Sequence, residues 1–352
     1  MQRIFTVKIV QRVLILLCTI VLTLFFLECI FRVLAGIKNN KFNYIEQTGN
    51  KTGKFIYDPH IGWRNRPNFS GQFEWSDRIT YERINSLGWR DNGYAIKKPD
   101  NVYRIAVIGC SRTYGYGVNA EETYPKVLER LLNNRPSLKQ KVEVLNFGVN
   151  GYGLDQMVLN YSLYVRNYKP DLVILQFYRP NLNRALYREM WATQKPRYVF
   201  ANGGLSLKNY PVPKNRFRPM ESWFIEKSIM YSFVKDRLLK LEQIKKEKEN
   251  IYLDRKNSLL GTMILRLLKD YTDKDGVRLI VFTWGNDSLL KICRSGGVQA
   301  IDLYAIEDPK LWESNGSLDN PPPTGHWSVL GHQYVAAAIY RYLKDKNICG
   351  IF

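Results

Sequence analysis

Residues 104–118 read Arg-Ile-Ala-Val-Ile-Gly-Cys-Ser-Arg-Thr-Tyr-Gly-Tyr-Gly-Val. Arg104 to Ile108 form a short apolar, β-branched run, which predicts a buried strand stopping at Gly109. Ser111 then falls on the turn between that strand and a helix that should start near Thr123 or Tyr124. A hydroxyl at this point faces the carboxyl edge of a sheet, where open α/β folds hold their ligands. Gly109, Gly115 and Gly117 let backbone N–H groups come close to such a ligand. The same spacing also suits an ordinary strand–helix turn that happens to contain a serine, so the neighbouring segments have to decide.

Working outward, a helix over about 123–134 carries Leu128, Leu131 and Leu132, and a strand follows over Val142 to Asn146. Gly148, Gly151 and Gly153 form its exit loop. A helix over about 154–166 leads to a strand over Leu172 to Tyr178, entered by Pro170-Asp171. Helix 257–273, strand Val277 to Thr283 and a last helix over about 328–344 resume the rhythm. Short strands alternating with helices imply a parallel sheet covered on both faces, a three-layer α/β/α sandwich. Residues 185–256 interrupt it. Tyr198 to Lys208 suit a hairpin turning at Asn202-Gly203-Gly204, and about 221–250 reads as helix. The whole stretch is taken as a cap or docking surface on the α/β core.

The N-terminal end is different. Residues 13–27 carry no charge, and the apolar character resumes after Glu28 as far as Gly36. The run is long enough to cross a bilayer. Glu28 and Arg32, four apart, can pair on one helix face. Arg3, Lys8 and Arg12 favour a cytoplasmic N-terminus and a periplasmic or extracytoplasmic main domain, whereas Lys38 and Lys41 weigh the other way. A cleaved signal peptide is the competing reading; the length of the run favours an uncleaved, single-pass anchor. The expected organisation is therefore a cytoplasmic 1–12, an anchor 13–36, a membrane-proximal β/loop region 37–98, core segments 99–184 and 257–352, and the insertion 185–256. Within 37–98, Phe69 to Trp75 and Arg78 to Ile84 suit a β hairpin, and His60 reads as a turn residue.

The 352 residues are 45% hydrophobic, a globular composition, with a formal net charge of +20. That balance favours anionic partners such as lipid headgroups or acidic envelope polymers. Nucleic acid is not expected, because no recognition motif is present and the Lys and Arg are spread along the chain. Five cysteines and three histidines lack metal-ligand spacing, and no cofactor or metal is expected. Cys18 and Cys29 read as small hydrophobes within the apolar run. Cys293 and Cys349 are the pair an oxidising compartment would allow to bond.

Three strand-end loops should meet at one sheet edge: Gly109 to Ser111, Asn146 to Gly153 and Phe177 to Asn183. A fourth segment, Gly325-His326-Trp327, precedes the last helix. Ser111 is then a candidate nucleophile with His326 as its general base. The N–H of Ser111, the N–H of Gly151 and the side-chain amide of Asn181 are candidate oxyanion donors. Trp284-Gly285-Asn286-Asp287, after a strand that follows the insertion, offers a second amide. His332 reads as a packing or capping residue of the last helix.

In order and content these four segments resemble the SGNH (GDSL-like) hydrolase superfamily. Gly109-Cys110-Ser111 stands where that family has Gly-Asp-Ser. Asn146 to Gly153 is similar to its second block, Phe177 to Asn181 to its third, and Gly325-His326-Trp327-Ser328 with Gly331-His332 to its last. The resemblance implies Ser111 and His326 as catalytic residues, and Gly151 and Asn181 in the oxyanion hole. The anchor and the stretch Asn85 to Asp91 are similar to a membrane-anchored bacterial branch associated with surface polysaccharides. Some positions depart from the pattern. Cys110 replaces an Asp, Pro180 a Gly and Leu182 an Asp. Thr324 and Pro323 stand where the family places the Asp of its triad, leaving Asp319 as the nearest candidate acid. An orienting Asp is worth about 10⁴ in turnover in the serine-protease example.

The expectation is a membrane-anchored SGNH-like serine esterase or deacylase, using a Ser-His dyad or incomplete triad on an acylated glycan or lipid-linked substrate. The alternatives are an O-acyltransferase of an envelope polysaccharide, and a catalytically degenerate glycan-binding scaffold working with polysaccharide-assembly proteins.

Overall fold

The alternation of apolar runs along the chain produces two compact units, Met1–Gly53 with Asn215–Ile251, and Lys54–Lys214 with Tyr252–Phe352. The computed structural model describes residues 2–38, 54–75, 78–134, 140–190, 193–201, 203–214, 254–320, 325–348 and 350, with scattered residues of 228–241. The insertion expected over 185–256 is therefore divided. Its first part, through Lys214, belongs to the α/β unit, whereas 215–251 group with the N-terminal helix. Most of the helix expected over 221–250 lies outside the described residues.

In the first unit, α1 (Gln2–Lys38) is one continuous helix. Its 24-residue stretch Val10–Val33 is long and apolar enough to cross a membrane. The expected pair forms, with Arg32 2.9 Å from Glu28. Glu28 also accepts bonds from the Ser228 hydroxyl at 2.7 Å and from the Ile229 and Met230 N–H groups at 3.0 and 3.1 Å. An acidic side chain at exposed helix-start amides is the arrangement that end charges favour.

The second unit opens with two antiparallel hairpins. β1 (Phe55–Asp58) pairs with β2 (Gly62–Asn65), and β3 (Ser70–Glu74) with β4 (Ile79–Arg83), the latter matching the hairpin expected from sequence. The α/β pattern follows: β5 (Val102–Gly109), α2 (Ser111–Tyr114), α3 (Tyr124–Asn133), β6 (Lys141–Gly148), α4 (Leu154–Leu163), β7 (Leu172–Gln176) and α5 (Arg179–Ala185). Two small antiparallel pairs interrupt it, β8 (Glu189–Met190) with β9 (Thr193–Gln194) and β10 (Arg197–Ala201) with β11 (Gly204–Lys208). Then come α6 (Asp254–Lys274), β12 (Arg278–Thr283), α7 (Asp287–Ser295), β13 (Gln299–Asp302), α8 (Pro309–Glu313) and α9 (Val329–Asp345).

Five parallel strands form the sheet in the order β13-β12-β7-β5-β6. The chain leaves β5 toward β6 on one side and returns to β7 on the other. The strand order thus reverses at the carboxyl ends of β5 and β7, the point where doubly wound sheets open a crevice. Period-two alternation assigns the faces. Ala106, Ile108, Val173 and Leu175 pack into one core layer with Met157, Val158, Ile264 and Leu268. Ile105, Val107, Leu172 and Ile174 pack into the other with Leu128, Leu132, Val335 and Ile339. Each of the buried Val, Leu, Ile and Met side chains contributes about 1.5–3 kcal/mol relative to exposure, so the register that aims Ser111 is strongly held.

Candidate active site

Gly109 and Gly148 end β5 and β6 in register, and both leave room for α2. A Cβ on Gly148 would lie 2.3 Å from the Tyr114 backbone nitrogen, and one on Gly109 only 1.9 Å from Thr113 Oγ1. The first turn after β5 is therefore pressed onto the sheet edge. Ser111 is the first residue of that turn and is 7% exposed.

His326 reaches it from the other end of the chain. The loop that carries His326 closes on itself, with Asp319 bridged antiparallel to Trp327. Asn320 N–H donates to the His326 carbonyl at 2.6 Å, and Ser328 N–H to the Leu318 carbonyl at 2.9 Å. Ser328 Oγ accepts from Gly331 N–H at 3.1 Å and so caps α9. Thus fixed, His326 Nε2 lies 2.8 Å from Ser111 Oγ, within the reach a general base needs. The Tyr116 ring packs against the imidazole at 4.9 Å, and Trp75 against Tyr116 at 4.8 Å.

The candidate acid goes elsewhere. Asp319 is engaged by Arg112 at 3.2 Å rather than by the His326 ring, and its side chain is 55% exposed. The physical reason is the Arg112 guanidinium, which holds the Asp319 carboxylate while the Asp319 backbone is bridged to Trp327. Positions 323 and 324 lie outside the described residues.

Asn181 is fully buried. Its Oδ1 accepts from Tyr178 N–H at 3.1 Å, while its Nδ2 lies 3.4 Å from the Tyr152 carbonyl and also faces the Cys110 sulfur. The amide thus bridges the neighbours of Gly151 and Ser111. Gly151 turns through the left-handed region at φ +80°, a conformation glycine adopts without cost.

Cys110 lies beneath Ser111, its sulfur 3.8 Å from Ser111 Oγ and 3.5 Å from the Tyr178 hydroxyl. Burial pushes its thiol up, but the Arg184 guanidinium, the Tyr178 hydroxyl, the Asn181 amide and the Arg112 N–H together hold it below the usual range. Cys293 is a buried free thiol, pushed up to about 12 by burial. The bond envisaged with Cys349 is therefore not formed by Cys293, and Cys349 itself lies outside the described residues.

The hairpin region braces the site from behind. Arg90, 1% exposed, donates to the carbonyls of Tyr114, Gly115 and Val118 at 3.0, 2.5 and 2.6 Å. Lys54 pairs with the buried Glu82 at 3.0 Å, and Glu82 accepts from the Tyr114 hydroxyl at 2.7 Å. Lys54 Nζ also stands 5.3 Å from the centre of the Tyr116 ring. These contacts span 24 to 62 residues without any periodic pattern to reveal them. The basic and acidic residues at 54, 82 and 90 are their only trace in the sequence.

The two further candidates take structural places. Asn286 Oδ1 accepts from Leu289 N–H at 3.1 Å and caps α7. His332 is buried, with its Nδ1 accepting from Tyr124 N–H at 3.1 Å. Burial, with Arg90, Arg112 and His326 nearby, pulls His332 down to about 3, so it is neutral near pH 7. Sequence reasoning gave no role to Arg112, which stacks on Trp284 at 5.4 Å beside the turn that carries Ser111.

No protein-family model matches the chain, and no curated protein matches it. Among solved structures the chain is similar to a G-D-S-L family protein from Desulfitobacterium hafniense DCB-2. The two are 12% identical, with 68% of this chain and 98% of that chain covered and a TM-score of 0.36. It is also similar to the lipase/acylhydrolase from Enterococcus faecalis, at 14% identity, 69% and 96% coverage and a TM-score of 0.39. A third is a variant of an acetyl xylan esterase from Geobacillus stearothermophilus, at 16% identity, 71% and 96% coverage and a TM-score of 0.38.

Proposed function

We propose that this chain is a membrane-tethered serine esterase of the SGNH type, acting on an acyl ester of a cell-surface glycan. The observation that carries the reading is the 2.8 Å contact between Ser111 Oγ and His326 Nε2 at the switch point of the sheet. Ser111 Oγ attacks the ester carbonyl while His326 Nε2 takes its proton, then returns it to the departing alkoxide. The N–H groups of Ser111 and Gly151 and the Asn181 amide hold the oxyanion. Water, activated by the same imidazole, releases the acid from the acyl-serine. If a sugar hydroxyl replaces water, the same site is an O-acyltransferase.

The tether is α1, whose Val10–Val33 stretch suits a bilayer in length and composition. Three N-terminal basic residues favour a cytoplasmic start and a periplasmic catalytic unit. The choice of a glycan rests on the resemblance to the membrane-anchored branch, and the net charge of +20 suits acidic glycans or anionic lipid surfaces. Polysaccharide-assembly proteins are the partners this placement implies.

Turnover of p-nitrophenyl acetate by the full chain in detergent tests the reading. Activity that is lost in both Ser111→Ala and His326→Ala supports it. Equal rates in wild type and Ser111→Ala overturn it.

A further inference from the structure

We infer that Arg112 is a positioning residue that locks the His326 loop to the nucleophile turn. This rests on the reading of Ser111 and His326 as the reacting pair.

Arg112 follows Ser111 directly and lies within the same short helix. Its fork reaches two points of the histidine loop at once, Asp319 Oδ1 at 3.2 Å and the Gly325 carbonyl at 3.1 Å. Gly325 is the residue before His326 and holds a left-handed φ of +54°. Its carbonyl is fixed by Arg112, while the His326 carbonyl is fixed by Asn320 N–H. The two peptide groups flanking the His326 Cα are therefore both tethered. The guanidinium in turn lies over Trp327 at 4.9 Å, Trp284 at 5.4 Å and Tyr178 at 5.9 Å. These rings rise from the last loop, from the end of β12 and from the end of β7, so Arg112 is the point where four segments of the sheet edge converge.

The ion pair itself is a minor element. With Asp319 more than half exposed, solvent screens most of its attraction. What matters is bidentate geometry: a planar fork can bridge a carboxylate and a carbonyl, whereas a lysine ammonium, a single point of charge, cannot hold both in place. Displacing an imidazole by about 1 Å can cost about 10²-fold in rate.

The test compares Arg112→Lys, Arg112→Ala and Asp319→Asn with wild type in steady-state ester hydrolysis and in the rate of Ser111 labelling by a fluorophosphonate. The expected result is a kcat about 10- to 100-fold lower in both Arg112 variants, with KM for a small ester within about twofold and labelling slowed in parallel. Asp319→Asn, which leaves the Gly325 contact, should lose only a few-fold, and being exposed it keeps the test open if the Arg112 variants do not fold. A kcat for Arg112→Lys equal to wild type overturns the clamp, as does a raised KM at unchanged kcat. Wild type that is itself inert to the probe and to esters instead overturns the esterase reading, and the inference falls with it.

Discussion

Ser111 Oγ and His326 Nε2 stand 2.8 Å apart across 215 residues of chain. Neither is held by its own segment alone. The nucleophile turn is pressed onto the sheet by the absence of side chains at 109 and 148, and the histidine loop is tied to it through Arg112. Each support makes its own prediction.

On the proposed mechanism, removing the imidazole of His326 is as damaging as removing the hydroxyl of Ser111. His326→Ala and Ser111→Ala should each lower kcat by about 10³-fold or more, and the double variant by little beyond either, since the two act as one unit. Steady-state kinetics on all three variants checks this. Additive losses would show that the residues act separately.

Gly148→Ala should destabilise the α/β unit, because the new Cβ meets backbone, 2.3 Å from the Tyr114 nitrogen, and not a side chain that can swing aside. The expected loss is about 1–3 kcal/mol, with the turn bearing Ser111 displaced as well. Urea unfolding at equilibrium, alongside esterase activity, measures both.

Lys54→Ala should leave the Glu82 carboxylate buried without its main counter-charge. Glu82 is pushed up by burial but held below its ordinary range by Lys54 and Arg90. Breaking such a pair costs about 3–5 kcal/mol. Lys54→Ala with Glu82→Gln should recover part of that loss, whereas no recovery in a double-mutant cycle would place the role of Lys54 in its contacts with the surrounding rings.

His332 sets a limit on the acid side. Its folded value, about 3, lies below the ordinary 6.5, so between those values the unfolded chain binds the extra proton. Stability should rise with pH across that window and fall as pH drops through it, by about 1.4 kcal/mol per unit. His332→Gln, which keeps an acceptor for Tyr124 N–H and does not titrate, should shift the acid-unfolding midpoint to lower pH. An unchanged midpoint would assign acid unfolding to other groups.

Much of this arrangement was legible in the sequence because it is written locally. Gly109-Cys110-Ser111 and Asn146 to Gly153 are strand-end turns, and their glycines mark close approaches that the structure then shows. Continuous apolar runs, buried on both faces of the sheet, mark four of the five sheet strands. β13 escaped because its four residues are too few and too polar to stand out, and α7 because Asn286, weighed only as a side-chain amide and set aside, is its cap. The place of Asp319 could not be read either: a carboxylate seven residues before His326 has no local signal for its direction, and an arginine 207 positions upstream decides it. Arg90, Lys54 and Glu82 left no pattern, since long-range hydrogen bonds impose no spacing.

The most direct test of the central claim is the intact mass of the full chain after reaction with a fluorophosphonate near pH 7.5. The account predicts one covalent adduct, mapped to Ser111, that is absent in Ser111→Ala and strongly slowed in His326→Ala. A folded protein that takes up no adduct, or takes it up equally in Ser111→Ala, would contradict it.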